Sequence, residues 1–279
     1  MPRPLELTDF RAVRIVLEPT DFAVDYDMPE EPPSDVIEKT TWNSLMILPD
    51  DVAIRTSDHH GGELRMLHDL WSALVEASGG KKDGLFEVLL DGADDFHGAT
   101  FNALCGFYRL SFVSLRSVVE LITIGTFAQI SGRLAEFKKW RNGHLIIPFD
   151  AACAAINGSR RLSVIKDYLY SELADSLFDS KRGPQESGWA RRLYSTLSNY
   201  SHARPGYADS DIRQSNGPIY VPGAFVQAVK MHLEVAAFTF IMIKLARQEF
   251  VLPDGGRAIF QPGHPAIPEI ARACWRKLA

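Results

Sequence analysis

The chain has 279 residues, 46% hydrophobic and 23% charged, with a net charge of −5. Those values suit one large or two small soluble globular domains and leave no global basic field to draw in nucleic acid. Three widely spaced cysteines (Cys105, Cys153, Cys274) with no CxxC pair speak against a disulfide framework or a zinc site and point to a reducing, cytoplasmic setting.

The first ten residues, MPRPLELTDF, lack the apolar core of a secretion signal. Residues 18–38 then hold eight acidic residues, no basic one, and Pro19, Pro29, Pro32 and Pro33. That composition reads as an extended acidic arm, either solvated or laid over a basic groove. Trp42, Leu45, Met46, Ile47 and Leu48 form an apolar cluster expected to anchor this region. Asp58-His59-His60 is expected to open a helix over residues 62–77, on which Leu64, Leu67, Leu70, Trp71, Leu74 and Val75 repeat at helical spacing. His59, His60 and His68 lie nearby, but no HExxH-like pattern supplies the three convergent ligands a metal needs, so no metal is expected.

Gly79-Gly80-Lys81-Lys82 reads as a loop and fails the GxxxxGK[ST] pattern of a phosphate loop. Residues 84–90 form a short apolar element of open type. Residues 100–130 are the longest apolar run in the chain and are expected to form one helix, capped by Thr100 and stopped at Gly132. Arg109, Arg116 and Glu120 sit in its middle, which argues against a membrane span. Their spacings of seven and four place all three near one helical face. Burying such charges requires partners. They form either an ion pair that orients a core helix or a polar pocket facing a second helix.

Lys138, Lys139 and Arg141 beside Trp140 make the best local basic patch. It could hold a phosphate backbone with a stacked base, or it could be the solvated cationic end of a helix. Further helices are expected over residues 149–156, 162–178, 189–200, 222–250 and 269–278, with polar or Pro/Gly-rich connections between them. The last long one is expected to pack on the central helix. The fold expectation is therefore mainly α, an antiparallel helical bundle over residues 98–250. A mixed, partly extended region (1–60) and a helical connector (61–97) precede it, and a loop with a short helix (251–279) follows.

The pair LRSVVEL (residues 115–121) and LSNYSHARPG (197–206) resembles a group of bacterial helical proteins. Their architecture looks like the HEPN superfamily of helical bundles, many of them metal-independent RNases of toxin–antitoxin and phage-defence systems. The resemblance covers residues 98–250 and rests on short motifs. It implies a homodimer without cofactor, acting on RNA or held by an antitoxin or other protein partner. HEPN nucleases carry an arginine, four to six intervening residues and then a histidine on one helix. Here that spacing before His202 meets Leu197, Thr196 and Ser195, so the arginine would have to be Arg116. The resemblance then implies proton transfer by His202 at the ribose 2′-hydroxyl. Arg116 would stabilise the phosphate and Glu120 would orient it, with Arg109, Ser198 and Tyr200 binding substrate alongside Lys138, Lys139, Trp140 and Arg141. The rival expectation is a non-catalytic interaction module whose polar residues are structural.

Overall fold

Asp83 starts the hairpin on which the other helices pack. Its carboxylate accepts the backbone N–H groups of Leu85 (3.0 Å) and Phe86 (3.1 Å), an N-cap that satisfies donors left open at a helix start. A computed structural model of the protein describes residues 37–79, 83–179, 187–201 and 217–279. Helical turns at Lys39–Trp42 and Asn43–Ile47 run into α1 (Leu48–Ser78). There follow α2 (Gly84–Leu104), α3 (Tyr108–Ser131), α4 (Leu134–Arg141), α5 (Phe149–Asn157) and α6 (Arg160–Leu173). The series ends with α7 (Trp189–Ser201), α8 (Pro222–Ala246) and α9 (Glu269–Leu278). Short helical turns at Asp254–Arg257 and Ala258–Phe260 link the last two. No strand occurs among the described residues, and the protein is a mainly α helical bundle.

The apolar run over residues 100–130 is not one helix. Cys105, Gly106 and Phe107 break it, and Thr100 lies inside α2 with its hydroxyl bonded to the Phe96 carbonyl (3.0 Å). Gly106 sits at φ +80, and the backbone of Ile219 lies where a Cβ would stand. The chain can turn back there only because residue 106 is glycine. The apolar element at residues 84–90 is the start of the 21-residue α2. Gly125 on α3 meets Val88 and Leu85, and Gly92 on α2 meets Ile122 and Val118. That register makes α2 and α3 antiparallel, with small residues letting the two backbones approach. Gly132, at φ +67, stops α3 as its sequence position predicts.

α3 lies at the centre, with α2, α5, α7 and α8 packed against it. Tyr108, Phe112, Leu115, Val118 and Val119 are completely buried. α8 answers with Phe225, Phe238, Phe240 and Ile241, also completely buried. By length and composition alone, α3 and α8 could each cross a membrane, but most of each apolar window is covered by the rest of the fold.

Three further expectations need correction. α1 begins at Leu48 and passes through His60 with a kink (φ −134, ψ 27), so the histidine pair bends a helix rather than opening one. α6 stops at Leu173, because Ala174 adopts the left-handed conformation and turns the chain before Leu177 and Phe178. Leu45 and Met46 are exposed, so residues 42–48 do not anchor their segment in the core. The acidic arm lies outside the described residues except at positions 37 and 38.

Candidate functional site

α7 is amphipathic, with Trp189, Leu193 and Leu197 buried against the core. Tyr194 and Ser198 are four residues apart and so share a helical face, and that face meets α3. Arg116 donates from Nε to the Ser198 hydroxyl at 3.0 Å and from Nη2 to the Tyr194 hydroxyl. Its Nη2 also lies 3.4 Å from the Glu120 carboxylate. The Tyr194 hydroxyl in turn donates to Glu120 at 3.3 Å. The Arg116 guanidinium also lies over the Tyr194 ring, 4.8 Å from its centroid, a favourable cation–π position. Phe149 of α5 stacks on the Tyr194 ring with centroids 3.8 Å apart.

About two turns earlier on α3, Arg109 donates from Nε to the Tyr200 carbonyl at 3.0 Å. The Tyr200 ring packs on Phe112 with centroids 4.4 Å apart. Two arginines of α3 thus hold the last turns of α7, and the pairing runs antiparallel. Burial, and next to it the Glu120 charge, hold the Tyr194 phenol above its ordinary range. Tyr194 is therefore a neutral donor to Glu120 and an acceptor from Arg116.

Of the residues expected to form the site, Arg109, Arg116, Glu120, Ser198 and the Tyr200 backbone lie at this one helix pair. His202 lies outside the described residues. Lys138 and Lys139 are exposed on α4, and Trp140 packs against Phe137 with centroids 5.6 Å apart. Arg141 reaches back to α2, pairing with Asp91 and with Glu87 at 3.4 Å. Sequence reasoning missed Tyr194, although its spacing from Ser198 was the available signal. The arginines at the start of α7 have structural partners. Arg191 pairs with Asp150, and Arg192 grips Asp175 through two bonds of 2.6 and 3.0 Å.

Other reactive groups lie elsewhere. Burial, together with the nearby Asp50 charge, pushes the Cys105 thiol up to about 11. Burial is also the main cause lifting Cys153 to about 12, and it raises Cys274 further. These thiols stay protonated and unreactive. His59 stacks on Tyr220 at 5.6 Å, His60 lies 3.1 Å from the Tyr220 hydroxyl, and His68 packs on Trp71 at 5.3 Å. Among the described residues no group of three or more His, Cys, Asp or Glu side chains is placed to hold a metal ion. No protein-family model, curated protein or solved structure matches this chain.

Proposed function

We propose that this protein is a non-catalytic helical interaction module of HEPN-like architecture, working as a homodimer or with a protein partner. The observation that carries the reading is the engagement of Arg116. Its guanidinium is taken up by Ser198, Tyr194 and Glu120 of its own chain. A phosphate taking the Nε–Nη2 edge of this part-buried guanidinium would have to displace those partners. The cluster is a tie between two core helices, and its chemistry is that of a folded scaffold.

The nuclease reading keeps one supporting observation. The bonds from Arg109 and Arg116 to the end of α7 hold the residues just before His202 beside α3. If Arg116 exchanged its hydroxyl partners for a phosphate, His202 would serve as the proton-transfer group at the 2′-hydroxyl. The test is cleavage of diverse RNAs by the purified protein in EDTA, with wild type beside Arg116→Ala and His202→Ala. The module reading expects no cleavage from any of the three, with light scattering giving an assembly heavier than the 31.1 kDa chain. Metal-independent cleavage by wild type, lost in both folded variants, overturns it in favour of the nuclease.

A further inference from the structure

A second site lies where the ends of α3, α6, α8 and α9 converge. They enclose a cleft of about 680 Å³ whose walls include Arg160, Arg161, Lys244 and Lys277. No carboxylate side chain lines it, and it shares no residue with the Arg116 cluster. Its volume falls in the range of small-molecule pockets.

The surroundings of these four cations set them apart. Elsewhere the arginines pair widely with carboxylates: Arg141 with Asp91, Arg191 with Asp150, Arg192 with Asp175, Arg247 with Asp83. In the cleft, Arg161 donates from Nη1 to the Leu245 and Ala246 carbonyls at 2.9 and 2.6 Å. Lys244 donates to the Phe250 carbonyl at 2.9 Å. Lys277 lies over the Tyr168 ring, 4.2 Å from its centroid. These contacts fix the cationic heads without cancelling their charge. Among the described residues, none of the four meets a carboxylate in an ion pair. Four uncompensated positive charges facing one cleft repel one another, in a chain whose net charge is −5. An anion entering the cleft relieves that repulsion. The chain's overall negative charge disfavours an extended polyanion and favours a compact one. Ile130 and Leu278 add apolar wall beside the cations, which suits a ligand with an uncharged ring or chain.

We propose that this cleft binds a small organic polyphosphate of nucleotide size, its phosphates held by Arg160, Arg161, Lys244 and Lys277 and its uncharged part resting against Ile130 and Leu278. The test is calorimetric titration of the full chain in EDTA with ATP as probe. AMP, inorganic pyrophosphate and a short single-stranded RNA form parallel arms. ATP should bind one per chain with Kd below about 1 mM, AMP should bind more weakly, and added salt should weaken both. The variant pair Arg160→Glu with Lys277→Gln should weaken ATP binding by about tenfold or more. Arg160 is exposed at the first position of α6, where a carboxylate suits the helix end, so the thermal midpoint should stay near that of wild type. No ATP binding at millimolar probe overturns the proposal, as does equal affinity in the variant. Tighter binding of the RNA than of ATP, lost in the same variant, also overturns it by assigning the cleft to a polymer.

Discussion

The Tyr194 hydroxyl is the hub of the α3–α7 contact, accepting from Arg116 and donating to Glu120. Removing it should leave both partners poorly satisfied. Tyr194→Phe and Arg116→Ala should each lower stability by about 1 kcal/mol, since each removes part-buried hydrogen bonds. Their double variant should fall short of additivity by roughly 0.5 kcal/mol or more, measured by urea unfolding, because both act through one network. Strict additivity would mean the two side chains are energetically independent. The Arg116–Glu120 pair was legible from its four-residue spacing, and α7 was legible as a helix. Tyr194 was not, because a tyrosine on an amphipathic helix reads equally as core. A second residue sets a pH dependence. His232 is completely buried, with Nδ1 2.8 Å from the Ala228 carbonyl and Nε2 without a hydrogen-bond partner among the described residues. Burial lowers its pKa from 6.5 to about 4. Between those values the unfolded chain binds the proton and the folded chain does not, so stability falls as pH drops from neutrality toward 4. The full loss from this group is on the order of 3 kcal/mol. Glu234 acts with the opposite sign, because burial raises its pKa and favours the folded state at lower pH. Comparing wild type with His232→Gln isolates the histidine: the variant should lose less stability between pH 6.5 and 4. Identical pH profiles for the two proteins would rule out His232 as a source of that acid sensitivity.

Helix existence could be read from apolar periodicity almost everywhere, whereas two of the helix boundaries could not. Residues 100–130 contain no proline, and nothing local says that the run must break. Gly106 breaks it because the backbone of Ile219 arrives from more than a hundred positions away. Ala174 likewise stops α6 in a left-handed conformation that its residue type does not announce. The same close approach governs the middle of the α2–α3 hairpin. A Cβ at Gly125 would collide with the Val88 side chain and lie 3.4 Å from Leu85. Gly125→Ala should therefore overpack the hairpin and cost about 1–3 kcal/mol, despite the better helix propensity of alanine. Val88→Ala should recover much of that loss when combined with it, because it removes the colliding atoms. Thermal or urea unfolding of the two single variants and the double variant reads this directly. A double variant as unstable as the sum of the singles would show that the hairpin does not rely on this contact. By comparison, Gly106→Ala has no simple rescue. It meets Ile219 backbone at a positive φ, so both strain and collision remain.

At the scale of the whole molecule, one ion pair joins three helices whose packing buries the core. Arg247, just past the end of α8, grips Asp83 through bonds of 2.7 and 3.0 Å and donates to the Ala77 carbonyl near the end of α1 at 2.9 Å. Asp83 simultaneously caps α2. The end of α1, the start of α2 and the end of α8 thus meet at a pair that is largely out of water. Burial works against the charged carboxylate, yet the Arg247 bonds and charge, with the Leu85 and Phe86 amides, outweigh it and hold Asp83 below its ordinary range. Its contribution is therefore present above the ordinary carboxylate pKa and is lost as pH falls through the lower folded value. None of this was legible in the sequence, because Asp83 and Arg247 lie 164 positions apart and each reads locally as an ordinary helix-end residue. Removing one partner leaves the other charge in a poorly hydrated place. Asp83→Ala should cost about 3–5 kcal/mol, more than the loss of an N-cap alone, which is about 1 kcal/mol. Arg247→Met should also destabilise strongly, because Asp83 then stays buried without its counter-charge. The decisive comparison is the pair of variants together. If the ion pair and not the cap is the main tie, Asp83→Ala combined with Arg247→Met should be more stable than Asp83→Ala alone, since no buried charge is left unpaired. A double variant less stable than Asp83→Ala would show that Arg247 works chiefly through the Ala77 carbonyl, and the closure of the three helices would then rest on α1 and not on the start of α2.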